Sequence, residues 1–370
     1  MKPNGNIAEV AKLFLKLGFI GFGGPAVHIA MMEEEVVRKR KWFSQDHFLD
    51  LVGATNLIPG PNSTEMTMHC GHERAGKTGL IIAGLCFIVP AVLITGVFAW
   101  AYKTYGKLPE AGPFIYGVKP AIIAVIVSLM IALGKKAFKT VELGVIGILA
   151  AALAIYGINE IIILFGGGLL GMVLYLFRAR DGNLRSIVPL TLFTNFHITS
   201  SQLKLFWIFL KIGVVLYGSG YVLFAFLDEE LVKTGMLTRQ ELIDAIAVGQ
   251  FTPGPVFSSA TFIGWQIGGL QGAILATIGI FLPSFLFVAL LNPLIPALRK
   301  SKTMSAFLDA VNVVSVALIL SVCVAMGRSV IADWRTVLIA VSGFAVSMIF
   351  KKLNSAWVIL GGALLGYVLW

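Results

Sequence analysis

The chain has 370 residues, of which 57% are hydrophobic and only 13% are charged. Soluble domains carry about 25% charged residues, so this composition excludes an ordinary soluble protein and predicts a multi-pass protein in a lipid bilayer. The formal net charge of +10 does not indicate nucleic acid as a partner. The basic residues cluster in short loops, as the cytoplasmic loops of membrane proteins require.

Apolar stretches and a polar linker divide the chain into two halves. We predict a first repeat at 1–178, a polar cytoplasmic linker at 179–203 and a second repeat at 204–370. In the first half the apolar stretches lie at about 10–32, 45–70, 78–102, 113–134, 141–157 and 160–177. The first stretch is interrupted by Gly21, Gly23, Gly24 and Pro25, a cluster that weakens a helix and permits close backbone approach.

Two Pro-Gly-Pro triplets, at 59–61 and 253–255, interrupt runs that otherwise look helical. Proline removes an amide donor and clashes with the preceding turn, so a helix cannot pass through unbroken. Broken backbone at membrane depth must be buried in protein or line a polar cavity. A helix that restarts after each break would present free N–H groups and the positive end of its dipole, which suits an anion. Paired breaks of this kind indicate a transporter site between two repeats.

The second half repeats the first in register. The sequence 14–18 matches 209–213, Gly23 matches Gly218, and Asp50 matches Asp244. The triplets align, and so do the glycines and prolines that follow each of them: Gly71, Gly76, Gly79 and Pro90 with Gly264, Gly269, Gly272 and Pro283. We therefore predict an internal duplication.

The loop charges favour opposite orientations for the two halves. If each Pro-Gly-Pro segment enters the membrane and returns to its own side, most basic loops share one face, as the positive-inside rule requires. The predicted fold is an all-α polytopic membrane protein in an inverted-topology repeat, with about ten crossings and two re-entrant broken helices.

At these residues the chain resembles the chromate ion transporter family in its two-domain form. The matching segments are 23–29, the charged segment ending in Trp42, 57–65, 71–79, 218–222, 251–255, Gly264 and 281–284. The resemblance implies export of an oxyanion, chromate or its analogue sulfate, across the plasma membrane of a prokaryote. The chain departs from the family at Glu65, where many members carry an uncharged amide. A carboxylate there repels an anion unless it is protonated.

Several ionisable residues lie in or near the apolar segments. Glu65 follows the first break by one turn and is a candidate for proton coupling, unless the segment is shallow and wet. Asp50 and Asp244 either face an interfacial cavity or pair with a base. Lys119 is a counter-charge for a dianion, a partner for Asp309, or a residue that snorkels to the interface.

Polar side chains flank both breaks and supply the donors that a desolvated oxyanion needs. His28 either donates to the oxyanion, carries protons, or is a structural histidine. The predicted substrate-binding residues are Gly23, Gly24, His28, Asn56, Pro59, Gly60, Asn62, Ser63, Thr64, Lys119, Gly218, Ser219, Gly220, Gln250, Pro253, Gly254, Ser258 and Ser259. The predicted proton-coupling residues are Glu65, Asp50 and Asp244.

The leading hypothesis is a secondary active oxyanion transporter driven by an ion gradient, and the alternative is a passive anion channel. The glycine cluster at 21–24 lacks the features of a nucleotide-binding loop. No catalytic triad or set of metal ligands stands at a credible spacing. We therefore expect neither an enzyme nor a cofactor or metal. The glycines at 166–168 leave a homodimer contact and internal helix packing as alternatives.

Overall fold

The computed structural model describes residues 6–106, 109–179, 201–217, 220–291, 301–350 and 353–370. These residues form helices joined by short loops, without a strand, so the predicted all-α class is confirmed. The helices are α1 (Ile7–Ile20), α2 (Pro25–Glu33), α3 (Gln45–Thr55), α4 (Asn62–Tyr105), α5 (Gly112–Ala137), α6 (Val141–Ile155), α7 (Glu160–Ala179), α8 (Ser201–Val215), α9 (Leu223–Leu227), α10 (Arg239–Phe251), α11 (Ser259–Leu291), α12 (Lys302–Val330), α13 (Trp334–Ile349) and α14 (Ser355–Leu369).

The helices have the length and surface of a multi-pass membrane protein. Five of them, α4, α5, α7, α11 and α12, are long and apolar enough to cross a bilayer, and α6, α13 and α14 are shorter apolar helices. Large apolar side chains point outward, among them Leu93, Val97 and Ile148, which are 63%, 64% and 71% exposed. Exposing such side chains to lipid hydrocarbon is favourable, whereas exposing them to water is not.

Both Pro-Gly-Pro triplets interrupt the helices, as predicted. Helix α3 ends at Thr55 and α4 begins at Asn62, while α10 ends at Phe251 and a short 3-10 turn begins at Val256. The central glycines adopt φ values of +134° at Gly60 and +85° at Gly254. A residue with a β-carbon rarely adopts these values, so glycine is the residue that fits between the two prolines.

A second break, which falls between the predicted stretches 45–70 and 78–102 in α4 and at glycines in α11, divides the two helices in the same way. The backbone turns at Ala75 and Gly76 (φ +64°) in α4, and at Gly268 and Gly269 (φ +62°) in α11. Beyond the turn the chain folds back, because the backbones of Gly71 and Gly79 are in contact. The part of α4 before the turn, 62–74, rises about 20 Å, which is less than the thickness of the hydrocarbon core.

The first apolar stretch, 10–32, also forms a hairpin. Helix α1 ends at Ile20, the chain turns over the glycines at 21–24, and α2 runs back. The two ends of the hairpin meet, since Glu9 binds Arg40 at 3.2 Å and Arg74 at 2.9 Å. The predicted count of ten crossings included this stretch as a single crossing, and the number of crossings therefore stays a prediction.

Ion pairs repeat between the halves. Lys16 binds Glu35 at 3.0 Å, and the equivalent residues Lys211 and Glu230 bind at 2.6 Å. Each pair joins the first helix of its half, α1 or α8, to the single-turn π-helix that follows α2 or α9. The duplication thus extends to side-chain contacts. The predicted linker 179–203 lies largely outside the described residues, so the division into 1–178, 179–203 and 204–370 remains a prediction.

Glycines allow close helix packing within the protein. Gly117 of α5 lies against the backbone of Gly362 and Gly366 of α14, which joins the two halves. A β-carbon at Gly167 would lie 2.5 Å from Val314, and one at Gly168 would lie 2.6 Å from Phe307, both residues of α12. Of the two alternatives for 166–168, these two glycines serve internal packing.

Candidate functional site

Four interruptions of the helices, called the four breaks below, converge at one interface between the halves: the two Pro-Gly-Pro triplets, and the ends of α1 and α8 at Gly21 and Leu216. The amide of Gly60, in the first Pro-Gly-Pro, donates to the carbonyl of Leu216 at 2.7 Å. The amide of Gly254, in the second, donates to the carbonyl of Gly21 at 2.7 Å. Leu216 and Gly21 are equivalent residues of the duplication, each just past the end of its helix. Each half therefore satisfies the broken backbone of the other.

The glycine clusters that end α1 and α8 also meet. A β-carbon at Gly24 would lie 2.7 Å from Tyr221 Oη, and one at Gly220 would lie 3.5 Å from the Phe257 ring and 4.0 Å from Pro25. The structure thus brings Gly24 and Gly220 to the interface. A β-carbon at Gly24 would overlap the Tyr221 hydroxyl of the other half, whereas one at Gly220 would make ordinary contacts. Gly218 and Ser219, which the sequence also predicts here, lie outside the described residues.

His28 holds the end of α1. Its ring is 2% exposed, its Nε2 lies 2.8 Å from the Gly21 carbonyl oxygen, and it contacts Phe87 edge-on at 5.3 Å. Because a carbonyl only accepts, Nε2 carries the proton and Nδ1 of the neutral ring is free to accept. Among the described residues Nδ1, which is buried, has no partner. The Nε2 contact supports the structural alternative and leaves one ring nitrogen for another role.

Buried hydroxyl groups surround the second break. Thr95 of α4 contacts Thr252 at 3.4 Å and Ser258 at 3.2 Å, and all three are at most 3% exposed. These distances exceed the usual 2.7–2.8 Å of hydroxyl hydrogen bonds, so the hydroxyls are weakly held. Ser259 Oγ and Gln250 Nε2 are buried without a hydrogen-bond partner in the described part of the chain. The structure places these donors together at the second break, and their role in binding substrate stays a prediction.

A buried carboxyl group occupies the first break. Glu65 is 0% exposed, and neither of its oxygens has a hydrogen bond of normal geometry or an ion-pair partner within the described ranges. The Ser284 hydroxyl of α11 lies beside it, and a β-carbon at Gly60 would overlap both groups. The alternative that Glu65 is merely wet is wrong. Burying an unpaired carboxylate is costly, and a bound proton removes the charge.

The two breaks have diverged in chemistry. Where the first break has Glu65 and Ser284, the second has Ser259 and Ala91 at the equivalent positions. Thr64 and Ser258 are also equivalent, and Thr64 Oγ1 is buried without a partner in the residues described. One break is therefore acidic and the other is rich in hydroxyl donors.

Other predicted residues lie further from the interface. Asn62 donates to Asn56 at 2.9 Å, and Asn56 is exposed, so this pair bridges the first Pro-Gly-Pro break on its exposed side. Asp50 is exposed on α3. Its role in proton coupling stays a prediction, as does that of Asp244.

One of the three alternatives for Lys119, a pair with Asp309, does not occur. Its Nζ lies 3.6 Å from Asp244 Oδ1, whereas Asp309 binds Lys139 at 2.7 Å. The prediction of a Lys119–Asp309 pair is wrong, because Asp309 faces the far end of α5, about 27 Å along the helix from Lys119. Asp244 instead pairs with a base, which was one of the two predicted alternatives.

Three residues at the interface were not among the predicted site residues: Thr95, Ser284 and Tyr221. Each lies in a segment without a Pro-Gly-Pro triplet and reaches the break of the opposite half. The available signal was a hydroxyl in an otherwise apolar helix, as at Thr95 and Ser284. Such residues are too common in membrane helices to identify a site without its neighbours.

The interface is closed to solvent. Thr64, Ser258 and Ser259 are each 0% exposed. An open groove of about 550 Å³ lies beside α1 and α2, and an apolar one of about 300 Å³ lies between α5, α6 and α12. Neither groove includes a predicted substrate-binding residue, so a ligand at the breaks would need the halves to move.

Comparisons with known proteins agree with the duplication. A family model described as chromate transporter matches residues 8–172 and again residues 203–367. The chain is 29% identical over 382 residues to a probable chromate transport protein of Synechococcus elongatus, covering 100% of this chain and 97% of that protein. It is 29% identical over 380 residues to a chromate transport protein of Cupriavidus metallidurans, covering 99% and 94% of the two chains.

A shorter relative matches part of the chain. An uncharacterized transporter of Bacillus subtilis is 30% identical over 154 residues, which is 41% of this chain and 77% of that protein. No solved structure matches the chain. The relatives are named as transporters or transport proteins, which points away from an enzyme. The family model covers both halves, and the chain belongs to the chromate transporter family.

Proposed function

We propose that this protein is a secondary active transporter that moves a tetrahedral oxyanion, chromate or the similar sulfate, across the plasma membrane of a prokaryote. The observation that carries the proposal is the convergence of four helix breaks between two homologous halves, with Gly60 bound to Leu216 and Gly254 to Gly21. Broken helices at a repeat interface are where secondary transporters place substrate and coupling ions. The names of the full-length relatives supply the anion.

The two halves are proposed to form an inverted repeat. A β-carbon at Gly84 of α4 would lie 2.7 Å from the Phe285 ring, and Lys103, further along α4, binds the carbonyl of Gln266 at 3.3 Å. Gln266 lies next to the turn of α11 at Gly268 and Gly269, so Lys103 is beside this turn, whereas Gly84 is beside Phe285, well beyond the turn. The equivalent long parts of α4 and α11 therefore run in opposite directions, which supports opposite orientations in the membrane.

The oxyanion is proposed to bind at the second break. Thr95, Thr252 and Ser258 offer weakly held hydroxyls, and Ser259 Oγ has no partner in the described residues. The restarted helix at Ser259 adds the positive end of its dipole. A desolvated dianion needs such donors to replace its water shell.

Glu65 is proposed to couple the anion to protons. A neutral, protonated Glu65 tolerates an anion at the neighbouring break, whereas an ionised Glu65 repels it. Proton binding at Glu65 and anion binding at Ser258 would then favour each other, which is the linkage that a gradient-driven transporter uses.

The full-length protein in proteoliposomes tests the proposed function. We expect chromate to accumulate against its concentration gradient when a pH difference is imposed across the vesicle membrane. Vesicles without protein, and vesicles made permeable to protons, provide the controls. Flux that only dissipates the anion gradient would identify a passive channel and contradict secondary active transport.

Removing a single hydroxyl at the second break should weaken the binding of anion. We expect Thr95→Val to raise the Kd for chromate about tenfold, because a hydrogen bond to a charged group contributes roughly 1.5–3 kcal/mol. Equilibrium dialysis with labelled chromate measures the effect. Thr261→Val is the matched control, since the Thr261 hydroxyl is also buried but binds Thr277 at 2.7 Å. Equal Kd values for the two variants would exclude Thr95 from the site.

A further inference from the structure

A buried ion pair joins the halves outside the four breaks. Lys119 of α5 lies 3.6 Å from Asp244 of α10, and Tyr102 of α4 donates to the other Asp244 oxygen at 2.6 Å. The Lys119 side chain is 15% exposed and that of Asp244 is 5% exposed. The ammonium is therefore the more accessible partner, and the carboxylate keeps a second donor of its own.

The duplication does not repeat this ion pair. The position equivalent to Lys119 is Asn312, which carries no charge, so the duplicated architecture forms without a cation there. Lys16–Glu35 and Lys211–Glu230, in contrast, occur in both halves. Removing two charges from water costs several kcal/mol per ion, and apolar residues often replace a buried pair without loss of stability. Stability alone therefore does not explain Lys119 and Asp244.

The ion pair lies on a line of polar contacts that leads to the second break. On one face of α4, Lys103 binds the carbonyls of Trp265 and Gln266, the Gln266 amide donates to the Ala99 carbonyl, and Thr95 reaches Ser258. Tyr102 and Thr95 are two helical turns apart, about 10 Å along the axis.

Within the part of α11 that the structure describes, the line of polar contacts is not repeated at the position of Thr95. The residue of α11 equivalent to Thr95 is Val288, which is buried and has no hydroxyl. The polar line therefore connects the second break with the Lys103 end of α4, and Val288 does not provide its counterpart on α11.

We propose that Lys119 is a docking residue for the oxyanion between the Lys103 end of α4 and the second break, and that Asp244 holds its ammonium until the anion replaces the carboxylate. Tyr102 keeps its hydrogen bond to Asp244 when the ammonium turns away, so the displaced carboxylate retains a partner. The inference rests on the proposed oxyanion transport, and it adds an exchange of partners at Lys119.

If the anion displaces Asp244 from Lys119, substitutions of the two residues should change the Kd for chromate in opposite directions, which a purely structural ion pair would not do. We expect Lys119→Asn, which introduces the residue of the second half, to raise the Kd for labelled chromate about tenfold, as loss of a charge-assisted contact does. We expect Asp244→Asn to lower the Kd severalfold, because the competitor of the anion is gone. Lys139→Asn, which breaks the exposed pair with Asp309, should leave the Kd within twofold.

Tyr102→Phe is a second test that keeps both charges. Without the tyrosine hydroxyl, Asp244 depends more on Lys119 and competes more strongly with the anion, so the Kd should rise. This variant decides the matter if Asp244→Asn does not fold, as judged by size-exclusion chromatography and the apparent melting temperature. A Kd that Tyr102→Phe leaves unchanged would overturn the exchange.

Binding by the wild-type protein separates the two proposals. If wild-type protein neither binds nor moves chromate or sulfate, the proposed function itself fails. If wild-type protein binds the anion, but Lys119→Asn and Asp244→Asn change the Kd in the same direction or not at all, the exchange at Lys119 is wrong and the proposed function stands.

Discussion

Glu65→Gln should uncouple anion movement from protons. The amide keeps the size of the side chain but cannot gain or lose a proton between pH 5 and 8. Free energies of coupling are typically 1–3 kcal/mol, so we expect the steady-state accumulation of chromate under an imposed pH gradient to fall by at least about fivefold. Downhill flux should persist, because the amide side chain is neutral like the protonated acid.

The measurement compares uphill and downhill flux of the variant in the same proteoliposomes across this pH range. Downhill flux of Glu65→Gln should lose its dependence on pH, while wild-type flux keeps it. Glu160→Gln is the control, since Glu160 is also a buried carboxyl group but lies by Lys233 and Glu229, away from the breaks. Undiminished accumulation with unchanged pH dependence in Glu65→Gln would remove Glu65 from the mechanism.

Gly254→Ala should destabilise the protein strongly, and a second substitution should reverse part of the loss. The new β-carbon would lie 2.7 Å from the Ala91 β-carbon, and the backbone has φ +85°. The unfavourable φ costs roughly 1–2 kcal/mol and the overpacking about 1–3 kcal/mol more. We expect a marked fall in the apparent melting temperature in detergent, and loss of transport.

Ala91→Gly provides the diagnostic partner. In the wild-type background it should destabilise α4 by about 1 kcal/mol, because glycine is a poor helix residue. Combined with Gly254→Ala it should raise the melting temperature, because it removes the overlapping atom. Gly235→Ala reports the backbone effect alone, since Gly235 has φ +75° and nothing within 4 Å of an added β-carbon. A double variant no more stable than Gly254→Ala would contradict the proposed clash.

The positions of the breaks could be predicted from the sequence more fully than the residues that pack against them. The prolines at 59, 61, 253 and 255 forbid a continuous helix on local grounds, and the matched glycines mark the turns at Gly76 and Gly269. Local rules failed for 10–32, because apolar length suggested one crossing. The glycines at 21–24 instead reverse the chain, and Glu9 meets Arg40.

Partners between the halves could not be predicted from one sequence. The alignment of the halves placed Asp309 near the counterpart of Lys119, but the halves pack so that Lys119 meets Asp244 instead. Thr95 and Ser284 likewise serve the break of the opposite half, a relation that depends on how two hairpins and two long helices interlock. Such contacts are set by tertiary packing and not by the local pattern.

The reciprocal hydrogen bonds of Gly60 and Gly254 have a consequence for biogenesis. In the nascent first half, the Gly60 amide has no acceptor until Leu216 has been synthesised and inserted. An unsatisfied amide in hydrocarbon costs several kcal/mol, so the first half cannot complete its backbone hydrogen bonds before the second half is inserted. We therefore expect each half to reach its final structure only after the other half has been inserted into the membrane.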